Sequence, residues 1–599
     1  MTIIDTRPNS QLDDVPSTKV DGVQLAIVSA RLESIAYKMS NTLYRTARGP
    51  VINTAHDLSC CVVNANSELV ASADSLPVHL MRGPDLLNDY LKEVHPVLRK
   101  GDAFLNNSPY NGGTHPADWT ILVPVIDEEG RHRFTTVAKG HATDTGMSQP
   151  TTVMVGARTL YEEAALLFPC VKVQEDYQDI GDVMRMWELR CRVPAEVRGD
   201  YRALVAAARI GEREMTALAQ EFGWDQLEAY IGQWFDYCDR KLADVIRRLP
   251  AGKATGTSTL DSMDVFQELT VKATVEIDPD AATVTVDLRD NEDCMPNGFN
   301  LTEATALTSG YVGVFMSIPD VIPANAGSFR RIKVLIRENC AVGKPVVPHS
   351  CSAATGWLFD RAANAVMLAM SEIAEGVGHA EIGGILPAAS PSISGLDGRY
   401  DDKPYINILL MGVSGGGGTP CSDAWLTALS CGTNGLIKQD SIEILEQQYP
   451  LVYWKIELQP DTGGAGRFRG APSLRAEWGP LHPMFTIWFA DGCDNGPKGA
   501  RGGGPGGKAK QFVRGVDGVE VPASAFTQVE LQPGEIVVSY SNGGGGYGFA
   551  SQRDPLAVAH DVAEGWVTRD RAAVDYGVVI DAGGDVDIDA TNRRRSEMG

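Results

Sequence analysis

The sequence has no Cys-x-x-Cys pair, although it contains 11 cysteines, an odd number scattered along the chain. That excludes a thiolate zinc knuckle and a disulfide framework, and it fits reduced, buried thiols. Long apolar runs are missing too. The most apolar short stretch, Ile406–Val413, falls far below the roughly 20 residues of a membrane-spanning helix. The first ten residues, Met1–Ser10, carry no basic segment leading into an apolar one, so no secretory leader is expected. A cytoplasmic protein is expected. Positive charge is in deficit, with 53 Lys and Arg against 77 Asp and Glu for a net −24. This argues against nucleic acid or an anionic membrane as partner. Finally, no Gly-x-x-x-x-Gly-Lys-Ser/Thr loop follows a strand, so ATP is not expected to bind this chain.

What is abundant is glycine, 62 residues in a chain of 599. Four clusters lie late in the chain: 415–418, 463–466, 502–507 and 543–546. They read as a β-rich region of tight turns and close backbone approaches. Apolar periodicity divides the remainder. Leu25, Val28, Leu32, Ile35, Met39 and Leu43 step by three or four and predict a helix from Asp21 to about Arg48, ended by Gly49-Pro50. Residues 57–71 predict a buried strand, a turn at 64–67 and a return strand. A helix is predicted over 83–94, and strands to Val125 and over 134–138. The stretch from about 161 to 250 is predicted helical. Leu269, Val271, Ala273, Val275 and Ile277 alternate, Val284, Val286 and Leu288 return, and a hairpin is predicted there.

The expected architecture is therefore α+β and multi-domain. A polar arm covers 1–20, a metal-site α+β region 21–160, a helical region 161–250 and a hairpin-and-helix region 251–410. A glycine-rich β region with C-terminal helices covers 411–599.

Chemistry concentrates on two loops. Asn106–Asp118 reads Asn-Asn-Ser-Pro-Tyr-Asn-Gly-Gly-Thr-His-Pro-Ala-Asp, and its prolines and glycines forbid a helix or a central strand. His115 and Asp118 sit three apart on it, just before an apolar strand. Lys139-Gly-His141-Ala-Thr-Asp144-Thr-Gly146 repeats the His-x-x-Asp spacing after the next turn. Asp57 opens an apolar strand, where a carboxylate is costly unless paired or bound to a cation. His79 lies on the loop Ser75–His79. These residues suggest a metal or acid–base centre at strand ends; turn-capping and packing pairs are the alternative reading.

The loop Ser108–Asp118, with Asp57-Leu-Ser-Cys60 and Pro77-Val-His79 before it, resembles the hydantoinase B/5-oxoprolinase family. The resemblance continues through Ile322–Gly327, Tyr449-Pro450, Gln459–Gly470, Gly543–Gly548, Arg553–Pro555 and the closing Tyr576-Gly-Val-Val. It spans roughly residues 20–580 in the family's own order.

The resemblance implies one of two cooperating subunits. A hydantoinase A-type partner binds ATP and phosphorylates the substrate, and the B-type subunit completes the reaction, so a hetero-oligomer is expected. Relatives open 5-oxoproline, hydantoins or lactams, while others carboxylate acetone or acetophenone. By this resemblance the metal ligands fall on Asp57, His115, Asp118 and His141. Two imidazoles and two carboxylates suit Zn²⁺, Mn²⁺ or Fe²⁺. His79 and Asp144 are the candidate catalytic residues, for proton transfer or for orienting the ligands, each with a plain structural role as the alternative. The chain departs from the family at Ala142 and Met147, where relatives often carry a second histidine and a second glycine, so a difference in substrate choice is expected. The first expectation is an ATP-dependent cyclic amidase subunit. The alternatives are a ketone carboxylase subunit joining a phosphorylated enol to CO₂, and a metal-stabilised scaffold without chemistry of its own.

Overall fold

A computed structural model describes residues 3–4, 21–263, 267–424 and 430–598. The chain is α+β and forms two compact units. The first contains Met1–Gly252, Glu276–Phe315 and Asp320–Phe359; the second contains Lys253–Val275, Met316–Pro319 and Asp360–Gly599.

The first unit is built on an antiparallel sheet. Its strands are β1 (Leu58–Asn64), β2 (Leu69–Ser72), β3 (Ala103–Asn106), β4 (Asp118–Ile126), β5 (His132–His141), β6 (Val171–Glu175) and β7 (Gln178–Asp179). They run in the order β2-β1-β5-β4-β3-β6-β7. The central strands are buried along almost their whole length, as near-continuous apolar runs require. Helix α1 (Gly22–Thr46) is capped by the Asp21 carboxylate and buries Leu25, Val28, Leu32, Ile35, Met39 and Leu43, the stripe expected from spacing. It packs on the long helix α2 (Pro194–Phe222), which itself lies against β4 and β5. Gly211 of α2 permits this approach, because a Cβ there would strike Met39 and Thr136.

The stretch 161–250 is not wholly helical. Strands β6 and β7 fall inside it, and β6 extends the sheet by pairing with β3. The alternation Val171, Val173, Glu175 is too short to outweigh the helical pattern that follows it. Ser75–His79 is likewise not all loop: Pro77–Leu80 makes one helical turn, with proline at its first position.

In the second unit two antiparallel sheets share a core containing Trp478, Trp488, Leu451, Leu531 and Val537. The glycine clusters of this unit serve close approach more than turning. Among the four, positive φ occurs only at Gly502. Gly543–Gly546 is a thread lodged among other threads. Its N–H groups donate to the carbonyls of Gly507, Ala471, Glu381 and Gly504 at 2.9–3.0 Å. Its carbonyls in turn accept from Gly464, Gly418 and Ala500 at 2.8–2.9 Å. A Cβ at Gly544 would overlap the Gly416 carbonyl, so the backbone hydrogen bonds exist only because side chains are absent.

Candidate metal centre

Three neighbouring strands end at one place. Asp118 opens β4 opposite His141, the last residue of β5. Leu58 at the start of β1 pairs with Gly140, and the Asp57 carbonyl accepts the His141 N–H at 3.2 Å. Asp57, Asp118 and His141 are thus fixed by sheet register rather than by loop chance. His115 reaches the same place from the loop before β4, where the Asp118 N–H donates to its carbonyl at 3.1 Å. That loop is pinned by Asn107, whose Nδ2 donates to the carbonyls of Pro116 (2.8 Å) and Leu166 (3.0 Å). Gly113 is required in it, since a Cβ there would overlap the Ser108 carbonyl.

The side chains converge. Asp118 Oδ1 lies 3.1 Å from His115 Nε2 and 3.6 Å from His141 Nδ1. Its Oδ2 lies 3.0 Å from His79 Nε2 and accepts a 2.5 Å hydrogen bond from the Thr114 hydroxyl. Asp57 places Oδ1 3.7 Å from His79 Nε2 and Oδ2 3.7 Å from His141 Nδ1. The His115 and His141 rings are 5.0 Å apart, centroid to centroid. His115, Asp118 and His141 form one group with metal-ligand spacing, and Asp57, His79 and Asp118 form another. The four residues matched to family ligands and His79 therefore share one cluster.

Asp144 stands apart from both groups. Its buried carboxylate accepts the Gly146 N–H (2.9 Å) and the Arg192 backbone N–H, and pairs with the Arg192 guanidinium at 3.2 Å. This ties the loop after His141 to the segment leading into α2.

Electrostatics divides the two carboxylates. Burial pushes Asp57 above the usual range, although the nearby histidines oppose it. Burial also acts on Asp118, but the charges of His115 and His79 outweigh it and hold Asp118 well below that range. His115 is pulled down by burial and raised further by Asp118 and by the Ser352 carbonyl, with a net upward shift. Sequence reasoning missed Lys139. It is almost wholly buried, and its Nζ lies 3.3 Å from the Thr114 hydroxyl and 3.4 Å from the His79 carbonyl. Its position between two apolar-looking residues of β5 was the available signal. Glu163 was missed as well. Burial raises its carboxyl against hydrogen bonds from Ser350 and Ser352 and the charge of His115.

The donor set fits a divalent cation. Asp57 Oδ1 and Asp118 Oδ1 are buried and accept no well-formed hydrogen bond; the groups facing them are imidazole nitrogens, His79 Nε2 at 3.7 Å from the first and His115 Nε2 at 3.1 Å from the second. Such oxygens are expensive in a protein interior unless a cation faces them. His115 donates its Nδ1–H to the Ser352 carbonyl at 3.0 Å, which leaves the Nε2 lone pair facing Asp118 Oδ1, as metal-bound histidines commonly do. Asp57 is the most exposed member, its side chain 15% exposed against 7% for His141.

The hydantoinase B/oxoprolinase family model matches residues 21–550. This chain belongs to that family. It is 31% identical over 593 residues to the beta subunit of a caprolactamase of Pseudomonas jessenii, covering 96% of this chain and 99% of the relative. The B-type subunit of a putative D-/L-hydantoinase of Pseudomonas sp. (strain NS671) is 27% identical, with 96% and 98% covered. The crystal structure of the ATP-dependent caprolactamase from Pseudomonas jessenii superposes with a TM-score of 0.85 at 30% identity, covering 96% of this chain and all of that one (100%). An acetone carboxylase structure shares the fold at a TM-score of 0.83 and 18% identity, with 96% and 83% covered. As a hydantoinase B/oxoprolinase protein the chain belongs to a family of enzymes, and no helix among the described residues is long and apolar enough to cross a membrane.

Proposed function

We propose that this chain is the metal-holding B-type subunit of an ATP-dependent cyclic amidase. It opens a lactam, hydantoin or 5-oxoproline ring after an A-type partner has phosphorylated the substrate. One observation carries the reading: a buried His/Asp cluster with under-bonded carboxylate oxygens lies in a chain similar along its whole length to the beta subunit of a caprolactamase. Asp57, His115, Asp118 and His141 hold the cation, with Zn²⁺, Mn²⁺ or Fe²⁺ suited to the donors. When bound, the cation supplies Lewis acidity and lowers the pKa of a water.

The chain's own residues do the rest. His79 and Thr114 grip Asp118 Oδ2, so the carboxylate keeps Oδ1 turned toward His115 and His141. The substrate approaches on the side of Asp57, the most exposed member of the cluster. The lack of a Walker-type loop in this chain and its similarity to the beta subunit of a caprolactamase support a hetero-oligomer in which the partner binds ATP. The competing reading uses the same centre to join a phosphorylated enol to CO₂. Product analysis separates them. The chain, co-produced with its ATP-binding partner, is given ATP, labelled bicarbonate and a panel of caprolactam, hydantoin, 5-oxoproline and acetone. A ring-opened amino acid free of label supports the amidase. A labelled β-keto acid from acetone would overturn it in favour of the carboxylase.

A further inference from the structure

Glu163 is a buried carboxylate, 2% exposed, with no part in the cluster itself. It closes the one-turn helix Leu160–Glu163, which is stitched to a distant segment. The Leu160 N–H donates to the Pro348 carbonyl at 2.9 Å, and Thr159 pairs with His349. Glu163 Oε2 then accepts the Ser350 hydroxyl at 2.7 Å. Asn300 grips the other side of Ser350, its Nδ2 donating to the Ser350 carbonyl at 2.9 Å. Two residues further on, the Ser352 carbonyl receives the Nδ1–H of His115.

A histidine ligates through one nitrogen only if the other holds the proton, and the partner of that second nitrogen sets the choice. Here the partner is a backbone carbonyl, whose direction depends on the path of residues 350–352. Glu163 and Asn300 together fix that path at Ser350. We propose that Glu163 is a positioning residue for His115: through Ser350 and the Ser352 carbonyl it holds the imidazole with the proton on Nδ1 and Nε2 turned toward the cation position. The inference rests on the metal reading given above.

The test is Zn²⁺ affinity, measured by competition with a chromophoric chelator on the full chain. Glu163→Ala and Ser350→Ala should each weaken binding about 10- to 100-fold, the usual consequence of removing an outer hydrogen-bond partner. Glu163→Gln keeps an acceptor for Ser350 and should stay within about threefold of the parent. The double alanine variant should bind no more weakly than the weaker single one, because both cut the same link. Glu163→Ala binding as the parent does, additive losses in the double variant, or Glu163→Gln as weak as alanine would each overturn the proposal. Should Glu163→Ala fail to fold, Ser350→Ala and Glu163→Gln carry the same test. A parent chain that binds neither Zn²⁺ nor Mn²⁺ would instead remove the metal reading beneath it.

Discussion

Asp118 is the residue on which the centre turns, since each of its oxygens meets a different set of imidazoles. His115→Ala removes one of the imidazoles proposed to hold the cation without touching the sheet. It should empty the site by elemental analysis, lower turnover at least ~10³-fold and leave circular dichroism unchanged. Asp144 tests the opposite case, because its partners are Arg192 and backbone rather than the cluster. Asp144→Ala should retain bound metal and lose stability by roughly 1–3 kcal/mol, read as a lower Tm. A loss of turnover above about 100-fold in the metal-loaded, folded variant would give Asp144 a chemical role after all.

The two His-x-x-Asp spacings were visible in the sequence at glycine-bounded turns, but only the family resemblance singled out His115, Asp118 and His141, with Asp57, as a set; Asp118 and His141 prove to be end residues of β4 and β5. Glu163 was not legible: its neighbours Tyr161 and Glu162 lie on an ordinary short helix, and its partner Ser350 is 187 positions away. A contact of that kind leaves no local pattern.

At the scale of elements, α1 and α2 carried their periodicity plainly, whereas β6 was hidden between helical stretches and became a strand only by pairing with β3. The glycine clusters were visible as composition, but their use was not. Turns need a positive φ, while packed threads need only the absence of Cβ, and sequence alone does not separate the two. Gly544→Ala should therefore cost about 3 kcal/mol or more and depress the yield of folded protein, while Gly518→Ala, which meets nothing within 4 Å but sits at a φ of +80°, should cost only the left-handed backbone strain of roughly 1–2 kcal/mol. A pH effect belongs to the helix Leu358–Ile373. Burial pushes Asp360, in its first turn, up to about 7, against the N–H groups of Gly432 and Cys431 and the charge of Arg361. Its folded pKa exceeds its unfolded one. The stability it contributes is thus present in acid below the ordinary carboxylate range and is lost as pH rises through about 7. Asp360→Asn should flatten this dependence, gaining Tm relative to the parent at pH 8 compared with pH 5 by an amount worth a few kcal/mol at most. Parallel Tm–pH curves for parent and variant would contradict it.

At the scale of the whole molecule, the family resemblance rested on motifs dispersed over most of the chain, and the family match over residues 21–550 agrees with it. The choice of substrate was not legible. Ala142 is buried, its N–H held by the Ala117 carbonyl at 2.8 Å, and its side chain alone does not name a ring. The decisive measurement follows one lactam turnover in the complex of this chain with the ATP-binding partner proposed for it, comparing parent and His115→Ala. Phosphate release and ring-opened amino acid are quantified together. The account predicts matched phosphate and amino acid from the parent. From the variant it predicts an intact capacity to consume ATP, with ring opening reduced at least ~10³-fold. Equal ring opening by parent and variant would contradict it, because the chemistry would then lie outside the His/Asp centre.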